Sequence, residues 1–185
     1  MNNIIENLIV KLSDDPFNPE INFDCAVEYE KLNQTASAIS FYLRCAEYGY
    51  ETHKTLTYNS LLKMARCFED QSDRHYTVSN CILQAMTVLP DRPEAYFMLS
   101  QFHEKSQAWQ ECYTYAELGL NKNKIKKLPA GIGYDQECSL NFQKAVAAWW
   151  IGRRDESIEI FNLLLKTNIS ELYRKAILNN LERIK

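Results

Sequence analysis

One pattern is written twice in this chain, and it leaves few folds open. The segment from Asn18 to Gly49, NPEINFDCAVEYEKLNQTASAISFYLRCAEYG, opens on Pro-Glu, runs through an amphipathic stretch, passes a short polar turn and enters a second amphipathic stretch. The segment from Arg92 to Leu120, RPEAYFMLSQFHEKSQAWQECYTYAELGL, does the same. Pro19 and Pro93 stand 74 residues apart, which leaves room for two units of about 37 residues each. A recurring unit of that size is a supersecondary element that cannot bury its apolar face alone, so neighbouring units must stack.

The remaining segments read in the same way. A short helix is expected over residues 3–12, with Ile4, Leu8 and Leu12 on one stripe and Ser13-Asp14-Asp15-Pro16 as its stop. Hairpins are expected over 19–48, 55–89, 93–120 and 136–166. Asn18 and Asp73 are placed as helix caps, Pro19 at a first helical position and Gly49 as a terminator. A longer connection follows Leu120 and carries Lys122 to Lys127 and Pro129-Ala130-Gly131-Ile132-Gly133. A last helix over 170–184, capped by Ser170, offers Leu172, Ala176, Leu181 and Ile184 to seal the final hairpin. No stretch alternates at period two, and five Gly and five Pro are too few for a turn-rich β fold. The expected class is all-α, one domain over 1–185 built as a stack of antiparallel helical hairpins.

Several functions are disfavoured. A formal charge of −3 gives no general attraction to nucleic acid or anionic membranes. The local exception is Lys122-Asn123-Lys124-Ile125-Lys126-Lys127, readable as a solvated loop or as a contact for phosphate or an acidic partner. No long apolar run suits a membrane helix, and Met1-Asn2-Asn3-Ile4-Ile5-Glu6 lacks a secretion signal's basic start, so a cytoplasmic protein is expected. Six dispersed cysteines, Cys25, Cys45, Cys67, Cys81, Cys112 and Cys138, form no C-x-x-C pair and read as small apolar side chains in a reduced chain. Only His53, His75 and His103 are available as bases, and nothing in the sequence brings a nucleophile to them. Gly131-Ile132-Gly133 lacks the third glycine and preceding strand of a phosphate loop. No metal, no cofactor and no catalytic residue is expected.

Numbered from the first helical residue, each hairpin resembles the tetratricopeptide repeat. That pattern wants an aliphatic residue at position 7, small ones at 8, 20 and 27, aromatics at 11 and 24, and Gly near 15. From Pro19 the chain supplies Cys25, Ala26, Tyr29, Asn33, Ala38, Tyr42 and Cys45. From Pro93 it supplies Leu99, Ser100, His103, Gln107, Cys112, Ala116 and Gly119, and from Cys138 it supplies Ala145, Ala148, Gly152, Ser157, Phe161 and Leu164. No repeat has the full set: His103 replaces a tyrosine, and Asn22 stands where a tryptophan would. The resemblance covers nearly the whole chain and implies a right-handed superhelical stack. It also implies that positions 2, 5, 6, 9, 12 and 13 of each first helix line a concave groove. In the first repeat these include Phe23, Asp24, Val27, Glu30 and Lys31; in the third, Glu94, Phe97, Met98, Gln101 and Lys105; in the fourth, Phe142 and Trp149. Aromatic anchors among polar groups suit a peptide or an oligosaccharide, though some of these rings are equally readable as core between repeats. Trp149 and its neighbour Trp150 cannot both point the same way on a helix.

A narrower resemblance rests on Asp15-Pro16-Phe17-Asn18-Pro19, Tyr42-Leu43-Arg44-Cys45-Ala46-Glu47-Tyr48-Gly49, Arg92-Pro93-Glu94-Ala95-Tyr96 and AVAAWWIGRRDES. These words are similar to the helical-repeat region that accompanies some family 2-like glycosyltransferases of bacteria and marine phages. The Asp-x-Asp motif of such enzymes is absent, and 185 residues filled by hairpins leave no room for a transferase domain. The expected function is therefore noncatalytic: a scaffold that binds a peptide or partner protein in its groove. The alternative is an accessory that holds a glycan acceptor or the transferase itself, in the host cytoplasm if phage-encoded. The expected state is a monomer or weak homo-oligomer.

Overall fold

The computed structural model describes residues 3–71, 74–122 and 131–184, and all regular structure among them is helical. The order is α1 (Asn3–Asp14), α2 (Pro19–Lys31), α3 (Thr35–Gly49), α4 (Lys54–Glu69), α5 (His75–Val88), α6 (Pro93–Lys105), α7 (Trp109–Leu120), α8 (Gln136–Trp150), α9 (Arg154–Leu165) and α10 (Glu171–Ile184). The hairpins are α2/α3, α4/α5, α6/α7 and α8/α9. Asn18 caps α2 by accepting from the Ile21 amide at 3.1 Å, with Pro19 at the first helical position. Asp73, expected to cap α5, lies outside the described residues, as do Asn123 to Ala130 of the lysine- and proline-bearing connection.

Three hairpins turn by one device. Asn33, Gln107 and Gly152 take φ of 57°, 57° and 86°, the left-handed conformation that ends a helix. In each case the next residue's amide bonds back to the carbonyl five residues earlier: Gln34 to Tyr29 (2.9 Å), Ala108 to His103 (2.9 Å) and Arg153 to Ala148 (2.8 Å). The turn residue's own amide reaches the carbonyl three back, at Glu30, Glu104 and Trp149. Two orphan carbonyls at each helix end are thus satisfied. These are the positions where the repeat pattern wants glycine.

Close helix approach explains the small residues. Ala26, Ser100 and Ala145 at position 8, and Ala38, Cys112 and Ser157 at position 20, are all fully buried. A Cβ on Gly119 would come within 2.8 Å of a Leu140 methyl and 3.0 Å of Tyr96 Cβ. The stacked pair Tyr29–Phe41 recurs 74 residues later as His103–Tyr115, with ring centroids 5.3 Å apart in both and planes 8° and 6° apart. His103 thus takes the packing role of a tyrosine.

The chain divides into two compact units. The first comprises Met1–Asp91 with Leu128–Ile132; the second comprises Arg92–Lys127 with Gly133–Lys185. In the first, α1 lays Leu8 and Leu12 over Cys25, Ile21 and Phe41, while Ile4 is left exposed. In the second, α10 closes the last hairpin with Ile177, packed among Ala145, Phe161 and Leu164. Its sealing stripe is Tyr173, Ile177 and Leu181, one residue out of register with the expected Leu172 and Ala176, and Leu172 is exposed. The register follows Tyr173, whose ring packs edge-on against Phe142 and whose hydroxyl donates to Ser139 Oγ at 2.8 Å.

Candidate functional site

In the first unit the first helices of two hairpins share a face. On α2, Phe23 and Val27 are half-buried one turn apart, with Asp24 and Lys31 beside them. Phe23 rests edge-on against Tyr42 of α3, ring centroids 5.6 Å apart. Partial burial raises the Asp24 pKa above the usual carboxylate value; Glu20 adds to the rise and Lys11 opposes it. Glu30, one turn beyond Val27, accepts from the Tyr42 hydroxyl at 2.5 Å and from Lys63 Nζ of α4 at 2.9 Å. Tyr42 is wholly buried, and burial followed by the Glu30 carboxylate pushes its pKa far up, so it stays a donor. Glu30 therefore ties α2, α3 and α4 together on the face that carries Phe23 and Val27.

The α4 side of that face holds residues that sequence periodicity does not single out. Asn59, Lys63 and Arg66 fall on one stripe by helical spacing. Asn59 is buried, and its Oδ1 has no hydrogen-bond partner among the described residues. Arg66 pairs with Glu69 at 2.7 Å and also donates through Nη2 to the backbone carbonyl of Ile132 at 2.7 Å. Ile132 is buried, and the preceding Gly131 has φ of 59°. A Cβ at Gly131 would lie 3.1 Å from Lys63 Nζ.

In the second unit the expected groove residues divide. Phe97 is 1% exposed and Met98 2%, so neither presents a face to a ligand, contrary to the expectation of an open inner wall. Phe97 is covered by Tyr134, itself buried, whose ring lies 5.3 Å from that of Phe97. Burial, with Glu94 and Glu137 nearby, raises the Tyr134 pKa. Gln101 is half-buried and Lys105 exposed. Glu94, expected among the groove-lining positions, is buried in a two-pronged pair with Arg92, in which Arg92 Nε donates to Glu94 Oε2 at 3.1 Å. Phe142 is half-buried between Phe161 and Tyr173, at 5.9 and 5.3 Å between ring centroids.

Trp149 is half-buried, with the Arg154 guanidinium 4.8 Å from its ring centre. Trp150 is exposed and stacks on Trp109 at 5.2 Å and 13°. Although they are adjacent in sequence, both border one cleft of about 300 Å³, lined by Val146, Trp149, Trp150, Phe161, Asn180 and Arg183. A separate polar cluster joins α7, α8 and α9. Tyr113 donates to Glu156 (2.8 Å) and accepts from Arg153 (2.8 Å), while Lys144 pairs with Glu156 (3.0 Å) and Glu117 (3.3 Å). Burial would raise the Glu156 pKa, but the bonds from Tyr113 and Lys144 outweigh it and hold the carboxyl below its ordinary value. This cluster fixes the packing of α7, α8 and α9.

The cysteines behave as apolar side chains. Five of the six are buried, and burial pushes the thiols of Cys25, Cys45, Cys67 and Cys138 up to about 11 and that of Cys112 to about 12. None of these is a thiolate near neutrality. Among the described residues no group of three or more His, Cys, Asp or Glu side chains is placed to hold a metal ion, and no helix is long and apolar enough to cross a membrane.

No protein-family model matches the sequence, and no curated protein matches it. Solved structures do. The crystal structure of MamA superposes with a TM-score of 0.65 over 88% of this chain and 85% of that one, at 15% identity. Pseudomonas aeruginosa PilF gives 0.70 over 95% and 72%, at 11% identity. YrrB, described as a TPR protein with an unusual peptide-binding site, gives 0.66 over 89% and 76%, at 12% identity. The fold is that of tetratricopeptide-like helical repeats, all-α and built from stacked hairpins.

Proposed function

We propose that the chain is a noncatalytic interaction module that binds a peptide of a partner protein on the α2/α4 face of its first unit. The observation that carries this reading is the α2 stripe. Phe23 and Val27 offer apolar surface one turn apart, and Asp24 and Lys31 flank it with charges of opposite sign. A half-buried aromatic backed by Tyr42 is a pre-ordered anchor, which lowers the entropy lost on binding. Glu30 and Lys63 hold the two helices in register. The fold is also that of YrrB, for which a peptide-binding site is described. Peptides selected from a displayed library against the full chain test this. Phe23→Ala should weaken the selected peptides about tenfold, the loss of a typical aromatic anchor. Equal affinity for wild type, Phe23→Ala and Lys31→Glu would refute the assignment.

A second reading has its own observation, the cleft beside Trp149 and Trp150. Flat indole faces with Asn180 and Arg183 at the edge suit a sugar ring, which needs an apolar platform and hydrogen-bond donors. On that reading the chain is an accessory that holds the glycan acceptor of a glycosyltransferase, or the transferase. A glycan array with indole fluorescence as readout separates the two: sugar binding lost in Trp149→Ala and kept in Phe23→Ala supports the accessory role. In either case the protein is read as cytoplasmic, monomeric or weakly self-associating, and without nucleic-acid or membrane partners.

A further inference from the structure

A segment of the chain itself lies against Lys63 and Arg66 on the α4 side of the face proposed to bind peptide. Gly131 and Ile132 belong to the first unit although they lie between α7 and α8 in sequence. The contact has the features of peptide recognition. Arg66 reads a main-chain carbonyl, that of Ile132, at 2.7 Å. The Ile132 residue is 5% exposed, so its apolar surface is withdrawn from water. Gly131 sits at φ 59°, a conformation glycine holds at the lowest cost, and the place of its missing Cβ is 3.1 Å from Lys63 Nζ. Lys63 is also the residue that ties α4 to Glu30 on α2, which places the segment at the border of the Phe23–Val27 stripe.

We infer that Gly131-Ile132 is an internal ligand of the α4 face, and that the partner of this module is a glycine–aliphatic–glycine segment that takes the same bend, with its glycines at positive φ as at Gly131 and Gly133, and that must displace it. The inference rests on the peptide-binding reading above and adds both the sequence class of the partner and the competition it faces. A carbonyl-reading arginine selects main chain, the positive φ favours glycine beside Lys63, and the buried aliphatic supplies the affinity. A tethered competitor acts at an effective concentration near the millimolar range, so it raises the apparent dissociation constant of any free peptide that uses the same residues.

The test uses a fluorescent synthetic peptide of the chain's own sequence from Leu128 to Asp135, titrated into the full-length protein. Two variants release the internal segment by different means: Ile132→Asp, which makes burial of that side chain costly, and Gly131→Val, which is strained at positive φ and crowds Lys63 Nζ. Circular dichroism checks that each is folded, and either one alone is sufficient for the test. The peptide should bind the released variants at least tenfold more tightly than wild type, and Arg66→Gln combined with either should abolish the gain. Affinities within twofold of wild type in a folded release variant would overturn the internal-ligand assignment. So would a gain that survives Arg66→Gln. If library-selected peptides still bind through Phe23 in that case, only this inference fails; if no peptide binds wild type or released protein, the peptide-binding reading falls with it.

Discussion

The three hairpin turns provide an internal comparison, because Asn33, Gln107 and Gly152 hold one backbone conformation with three different side chains. At φ 57° an ordinary side chain places its Cβ against the neighbouring carbonyl, at a cost of about 1–2 kcal/mol. Glutamine bears that cost in full, asparagine bears less because its short amide tolerates the conformation, and glycine bears none. Replacing Gln107 by glycine removes the strain but loosens the unfolded chain, an offset of about 0.4–1 kcal/mol. The strain outweighs that offset, so Gln107→Gly should stabilise the protein by about 0.5–1 kcal/mol, while Asn33→Gly should lie near zero. Gly152→Ala, at φ 86°, runs the comparison backwards and should cost about 1 kcal/mol. Urea unfolding followed by far-ultraviolet circular dichroism measures all three, and the shifts should appear in the midpoint with the slope unchanged. The reasoning is refuted if Gln107→Gly lowers the midpoint, or if Gly152→Ala leaves it in place.

Two further stability tests follow from the packing. Gly119→Ala gains about 1 kcal/mol of helix propensity but forces a methyl to within 2.8 Å of Leu140 and 3.0 Å of Tyr96 Cβ, an overpacking cost of about 1–3 kcal/mol. Tyr96 Cβ is held by its own backbone and cannot yield, so a net loss is expected in the same urea assay; a rise in midpoint would contradict the close approach. His103 tests the stacking assignment through pH. Burial lowers its pKa in the fold, with Glu111 partly opposing, so the folded state prefers the neutral ring. The unfolded state then takes up the proton first. This stabilising contribution is complete above a pH of about 6.5 and is lost as the pH falls from there through the lowered folded value. His103→Tyr should keep the stack on Tyr115 and flatten the pH dependence of stability in that window, whereas an unchanged profile would assign the titration elsewhere.

The helices, their turns and their close contacts were legible because they depend on short-range pattern. Asn33, Gln107 and Gly152 stand at the position where the repeat wants a left-handed residue, and His103 stacks where its counterpart Tyr29 does. The candidate site was legible only in part. Periodicity places Phe23 and Phe97 at equivalent positions, yet Phe23 keeps a partly open surface and Phe97 is covered by Tyr134. A period reports which side of a helix a residue occupies, and it carries no information about a distant segment that folds onto that side. The Arg66–Ile132 bond spans 66 residues for the same reason, and no local signal announces it. Glu30 with Lys63, and Tyr113 with Glu156, were similarly hidden, because charged residues on amphipathic helices read as solvated faces until a neighbouring helix brings their partners. The register of α10 turned on Tyr173, whose ring and hydroxyl both found partners on α8.

Amide hydrogen exchange on the full-length protein, with and without a library-selected peptide, tests the peptide-binding face most directly. Binding there should slow exchange in α2 from Phe23 to Lys31 and around Lys63 and Arg66 of α4, and speed it at Gly131 and Ile132 as the internal segment leaves. Protection confined to α8 and α10 around Trp149, or protection of α4 with Gly131 and Ile132 still held, would contradict that account.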